Sequence, residues 1–118
     1  MIRAIPWPES LPLLLIAANL LFNVIANASF RVSATAGNWQ GFLGWQVVGN
    51  VAGLLTVITL TGLLRYLPLH VAYPLVTGLA VVGVQVAAIW LFQEQMGSPQ
   101  MLGTLLVVLG IAFISQGR

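Results

Sequence analysis

The chain has 118 residues, of which 59% are hydrophobic and 5% charged, and its formal net charge is +2. A soluble domain carries about 25% charged residues, so this composition excludes a soluble fold and points to an integral membrane protein. No basic tract or aromatic–basic interleaving offers a nucleic-acid surface, and the lack of cysteine excludes disulfides and thiol chemistry.

The first apolar run spans about 11–32. Arg3 and the Ala26-Asn27-Ala28 stretch resemble a secretory signal. Glu9, Pro12, Asn19 and Asn23 interrupt the pattern, which argues against cleavage. Asn27-Ala28-Ser29 matches a glycosylation sequon but would be unreachable inside a span. Asn19, Asn23, Asn27 and Arg31 recur every four residues. On a helix each such step advances about 40°, so the four form one drifting polar stripe about 18 Å long. Amides facing lipid would go unsatisfied, so the stripe must face another helix or a polar cavity.

The second run, about 41–64, follows the turn residues 34–38. It carries Gln46 and Asn50 four apart, then Thr56, Thr59 and Thr61, with Gly49 and Gly53 in a small-xxx-small pattern. The third run, about 69–92, begins after Arg65-Tyr66-Leu67-Pro68 and places Tyr73, Thr77 and Gln85 on one face. His70, the single histidine, lies near its start beside Leu69 and Val71 and reads as an interfacial residue. The break 93–99 contains Glu94, read as a helix-end or loop-closing carboxylate. The fourth run, about 99–116, is apolar, and Gly103 and Gly110, seven apart, lie nearly on one face for close helix approach.

Four runs able to cross a hydrocarbon core of about 30 Å imply an all-α, four-helix membrane bundle, a single membrane domain over 1–118. Trp7, Trp39, Trp45, Tyr66 and Trp90 lie near run ends, where amphipathic rings favour the interface. Short loops make neighbouring helices antiparallel, which puts both termini on one side with Arg3, Arg65 and Arg118. The positive-inside rule then places both termini in the cytoplasm of a multi-pass protein of the inner (plasma) membrane. One bundle of four helices covers a polar stripe only in part, so a dimer is expected, as a homodimer or a heterodimer with a similar subunit. No His/Cys/carboxylate cluster, nucleophile–base pair or phosphate loop supports an enzyme, a metal or a cofactor.

Leu67-Pro68-Leu69-His70-Val71-Ala72-Tyr73-Pro74, Gly78-Leu79-Ala80, Gln93-Glu94-Gln95 with Ser98-Pro99, and the later Gly103 and Gly110 occur in an order that resembles the small multidrug resistance family. The resemblance runs from about Leu11 over nearly the whole chain and extends to relatives in the drug/metabolite transporter superfamily. It implies transport, a dimerising fourth helix and a flexible segment near Gly78. The family's drug/proton exchangers carry a Glu in helix one, eight residues before a basic residue. Aligning Arg31 with that basic residue puts Asn23 at the Glu position, where an amide cannot exchange a proton. The segments His70–Pro74 and Glu94 to Pro99 are similar to members that lack the Glu, such as aminoarabinose-lipid flippase subunits and short proteins with a single EamA-type repeat.

The favoured reading is a small transporter or flippase subunit for an amphipathic or lipid-linked substrate. Asn19, Asn23, Asn27, Arg31, Asn50, Tyr73, Thr77 and Gln85 are its expected binding residues, and Gly103 and Gly110 its dimer contact. Arg31 supplies a fork suited to phosphate and the asparagines neutral guides. The alternatives are an amphiphile exporter with other coupling, and a non-transporting partner subunit whose stripe is only helix–helix glue.

Overall fold

The computed structural model describes residues 10–116. Arg3, Trp7, Glu9 and Arg118, which enter the topology argument, lie outside the described residues.

The chain folds as α1 (Ser10–Ala34), α2 (Trp39–Leu63), α3 (Leu69–Phe92) and α4 (Ser98–Gln116), each long and apolar enough to cross a membrane. Pro12 falls in the first turn of α1, where its missing N–H removes no helical hydrogen bond. Asn38 starts α2: its Oδ1 accepts from the backbone N–H of Gly41 at 2.6 Å. Pro68 precedes α3, and Pro74 lies inside that helix. Pro74 has no N–H for the preceding turn, which marks the point where α3 bends most easily.

α3 ends at Gln93, whose φ of 58° is left-handed. The backbone N–H groups of Gln93 and Glu94 both donate to the Ala88 carbonyl, closing the helix without a glycine. Gln100 Oε1 accepts from the Gly97 N–H at 2.8 Å, which fixes the entry to α4.

α1 packs most extensively on α2, then on α3; α2 touches α3 briefly, and α4 contacts α3 alone. Gly49 lacks a Cβ where the Phe30 ring of α1 sits, and Gly83 leaves room for Leu20 and Val24. Gly78 admits Ile111 of α4, so at this position the chain shows a close helix contact. An apolar cluster of Leu63, Ala72 and Val76, flanked by Leu15, Ile16 and Leu60, closes the bundle near the start of α1 and the α2–α3 turn. No residue of α4 is buried. The molecule measures 50 × 34 × 19 Å. α4, with no buried residue and contacts to α3 alone, leaves most of its surface uncovered.

Candidate functional site

The stripe on α1 runs from the apolar cluster toward the opposite end of the bundle, and its members meet different surroundings along the way. Asn19 is fully buried. Its Nδ2 donates to the Thr56 carbonyl at 3.0 Å and to Thr59 Oγ1 at 3.1 Å, while its Oδ1 accepts from Asn23 Nδ2 at 3.0 Å. Both donors of Asn19 and one acceptor site are therefore spent on joining α1 to α2 and steadying Asn23. Asn23 is half-buried, and its Oδ1 accepts no hydrogen bond among the described residues.

One turn on, Asn27 is exposed and donates through Nδ2 to the Asn23 carbonyl at 2.9 Å. Asn27 lines two adjoining open clefts between α1 and α3. The first, about 350 Å³, is lined also by Thr77, Ala80, Val81, Val84 and Gln85. The second, about 180 Å³, continues past Val24, Ala28 and Ala88 to Arg31, Phe92 and Glu94. Together they form a groove with an apolar floor, amides along it and two opposite charges at one end.

At that end Arg31 Nε donates to Glu94 Oε2 at 3.0 Å, and the guanidinium carbon lies 5.1 Å from the centre of the Phe92 ring. The side chains of Arg31 and Glu94 are 39% and 45% exposed, so the pair sits at the cleft mouth and not in the core. Neither terminal nitrogen of Arg31 has a partner among the described residues. A guanidinium held by Nε over a ring presents its remaining N–H groups as a planar fork, the geometry that matches a phosphate or carboxylate.

The other expected binding residues are distributed differently. Gln85 lines the larger cleft, but its Oε1 accepts from Thr104 Oγ1 of α4 at 2.7 Å, so it also ties α3 to α4. Thr77 is exposed on the same wall. Tyr73, one turn earlier, is 55% exposed and lines neither cleft. Asn50 lies in a separate shallow groove with Leu43, Gln46, Val47, Val51 and Leu54, its Nδ2 donating to the Gln46 carbonyl at 2.7 Å. Within this chain, then, Asn27, Arg31, Thr77 and Gln85 come together, whereas Asn19, Asn50 and Tyr73 do not reach the same space. Gly103 and Gly110 point into open space, with nothing near the position a Cβ would take.

Three participants escaped the sequence reading: Glu94 as the partner of Arg31, Phe92 beneath it, and Thr104 on a helix read as apolar. The first had a signal. α1 and α3 run parallel when neighbours alternate, so their C-terminal ends share one side, and Arg31 and Glu94 are the two charged residues placed there. Charges at a membrane boundary tend to pair with each other. A groove beside the α1–α2 turn, lined by Ala36, Gly37, Asn38, Trp39 and Phe42, holds no charged group.

No curated protein matches the chain. Residues 11–108, the greater part of the chain and all of α1 to α3 but the first residue, match the model of the family described as Small Multidrug Resistance protein. Members of that family are small multi-pass membrane transporters rather than enzymes and typically form dimers in the bilayer. The four membrane-length helices and this match together show that the chain belongs to the small multidrug resistance family.

Proposed function

We propose that this chain is a subunit of a small transporter or flippase that moves an amphipathic, phosphate-bearing or similarly anionic substrate along the α1–α3 cleft. Arg31 carries this reading: a cation at the cleft mouth, anchored by one nitrogen, with two others unengaged. Asn27, Thr77 and Gln85 supply neutral polar groups behind it, and the apolar floor of Val81, Val84 and Ala88 suits the first carbons of a tail. The cleft is open on its outer side, so longer tails stay in lipid while the headgroup crosses.

Asn23 stands where the family's exchangers have their helix-one Glu, and an amide does not ionise at working pH. Translocation therefore proceeds without a helix-one carboxylate, as in the resembling flippase subunits that lack that Glu. A second protomer, identical or similar, would close the open side. We place its contact on the uncovered face of α4 at Gly103 and Gly110. Gly110→Leu should shift the detergent-solubilised protein toward monomer; an unchanged mass would move the contact elsewhere.

The test of the function is headgroup translocation of a labelled phospholipid or phosphorylated polyprenyl lipid in proteoliposomes. Arg31→Ala and Asn27→Ala should each lower the rate, the arginine change by tenfold or more. Unchanged rates in both variants would end this reading. One observation favours a second reading: Glu94 also lines the cleft. A lipophilic cation could pair with that carboxylate and be exchanged for a proton there. Cation binding with stoichiometric proton release would select it.

A further inference from the structure

Glu94 engages Arg31 through one oxygen on one nitrogen, although both residues line the cleft in which the substrate is placed. The contact spans 63 positions of sequence and joins the end of α1 to the loop after α3. Its placement is enforced by the backbone. Gln93 adopts a left-handed φ of 58°, unusual for a residue with a side chain, and this reversal brings Glu94 back toward α1. The Glu94 N–H is tied to the Ala88 carbonyl at 3.2 Å, so the carboxylate is held from a fixed point.

We infer that Glu94 is a resident stand-in for the substrate's anion: it neutralises Arg31 while the cleft is empty and competes with the headgroup when the cleft fills. This inference rests on the reading of Arg31 as the headgroup's grip and adds a specificity-determining residue to it. Two alternatives differ in sign. If Glu94 chiefly positioned Arg31, removing it would weaken anion binding. If it chiefly competes, removal strengthens binding. The geometry favours competition. The pair is exposed enough for positioning to contribute little, and Phe92 continues to support the guanidinium without Glu94. A second anion brought to Arg31 must instead displace Glu94 from it or sit within a few ångströms of a like charge, and either cost vanishes when Glu94 is removed. The consequence for transport is release: a competitor on the same cation keeps the headgroup from being held too tightly to leave. It also selects anions able to use the two free terminal nitrogens at once.

The experiment titrates the full-length protein in a neutral detergent with dodecyl phosphate and, separately, with inorganic phosphate. Comparing the two separates recognition of an amphiphile from that of a free anion. Glu94→Gln and Glu94→Ala should each tighten dodecyl phosphate binding about tenfold, which corresponds to about 1.4 kcal/mol, and should slow headgroup translocation. The difference from the native protein should narrow as salt rises. Arg31→Gln should lose binding with or without Glu94. Equal affinity in native protein and Glu94→Gln overturns the inference and leaves the Arg31 reading standing. Weaker binding in Glu94→Ala with native affinity in Glu94→Gln also overturns it, showing a positioning role. Failure of native protein and both Glu94 variants to bind either probe overturns the Arg31 reading itself, and this inference with it.

Discussion

Asn19 and Arg31 stand on the same stripe of α1, about three helical turns apart, in opposite surroundings. Asn19 is enclosed by α2 and meets two acceptors on it, Thr59 Oγ1 and the Thr56 carbonyl, plus a donor from its own helix. Arg31 lies at a cleft mouth with one of its nitrogens used. A polar group in a membrane helix either has its capacity consumed by its neighbours, in which case it fixes the packing, or keeps some in reserve, in which case it is available to a ligand. Asn23 and Asn27 grade between the two: each spends its amide nitrogen on the preceding turn and keeps an oxygen. The stripe changes role along its length, from seam to site.

Both ends ride on α1, which packs most extensively on α2, so disturbing the α1–α2 interface should affect both. Gly49→Leu drives a side chain into the Phe30 ring. Overpacking of this kind destabilises by about 1–3 kcal/mol, and here the upper figure is expected because even the first added carbon would overlap the Phe30 ring. Unfolding in mixed micelles should show the loss, accompanied by loss of headgroup binding. A Gly49→Leu protein with native stability would mean that α1 and α2 slide freely and that the seam is not fixed.

Arg31→Ala separates the two regions. Headgroup translocation should fall by tenfold or more, with stability unchanged within about 0.5 kcal/mol, since an exposed ion pair contributes about 0–1 kcal/mol. Asn19→Ala should do the converse. Interhelical hydrogen bonds in membranes average about 0.6 kcal/mol each. Asn19 makes two, so a destabilisation of about 1 kcal/mol is expected, with phosphate-probe affinity preserved. Cysteine substitution gives the same contrast by accessibility: a thiol at 27 should react with water-soluble reagents and one at 19 should resist them. Equal reactivity at both positions would put Asn19 in the cleft and dissolve the comparison.

The four-helix architecture was legible because its signals are local: run length, turn chemistry at 34–38, 65–68 and 93–99, and the low charge. Asn38 shows how literally, since the loop asparagine is the side chain that starts α2. The site was legible on α1 and less so elsewhere, for a geometric reason. Periodicity says which residues share a face but not which way the face turns. Asn50 follows Gly49, the residue pressed against Phe30. A step of one residue is about 100°, so Asn50 turns away from α1. Tyr73 follows Ala72, which is fully buried, and is rotated outward in the same manner. The Arg31–Glu94 pair lies beyond periodicity altogether, because it joins a helix end to a loop 63 positions away.

The smallest expected effect concerns how that loop is held. A residue with a Cβ in the left-handed region costs about 1–2 kcal/mol, and Gln93 bears that strain at φ 58°. Glycine removes it but adds about 0.5–1 kcal/mol of backbone entropy to be lost on folding. Gln93→Gly should therefore stabilise the protein by about 0.5 kcal/mol, near the limit of what micellar unfolding resolves. Gln93→Val is the sharper variant, because a β-branched side chain is a poor occupant of that conformation. It should push the backbone out of the left-handed region, displace Glu94 and leave Arg31 uncompensated. If Glu94 competes with the headgroup, Gln93→Val will then bind dodecyl phosphate more tightly than the native protein although position 93 touches no ligand. Native affinity in a folded Gln93→Val protein would mean that Glu94 finds Arg31 without the turn, and that the strain at 93 serves only to end α3.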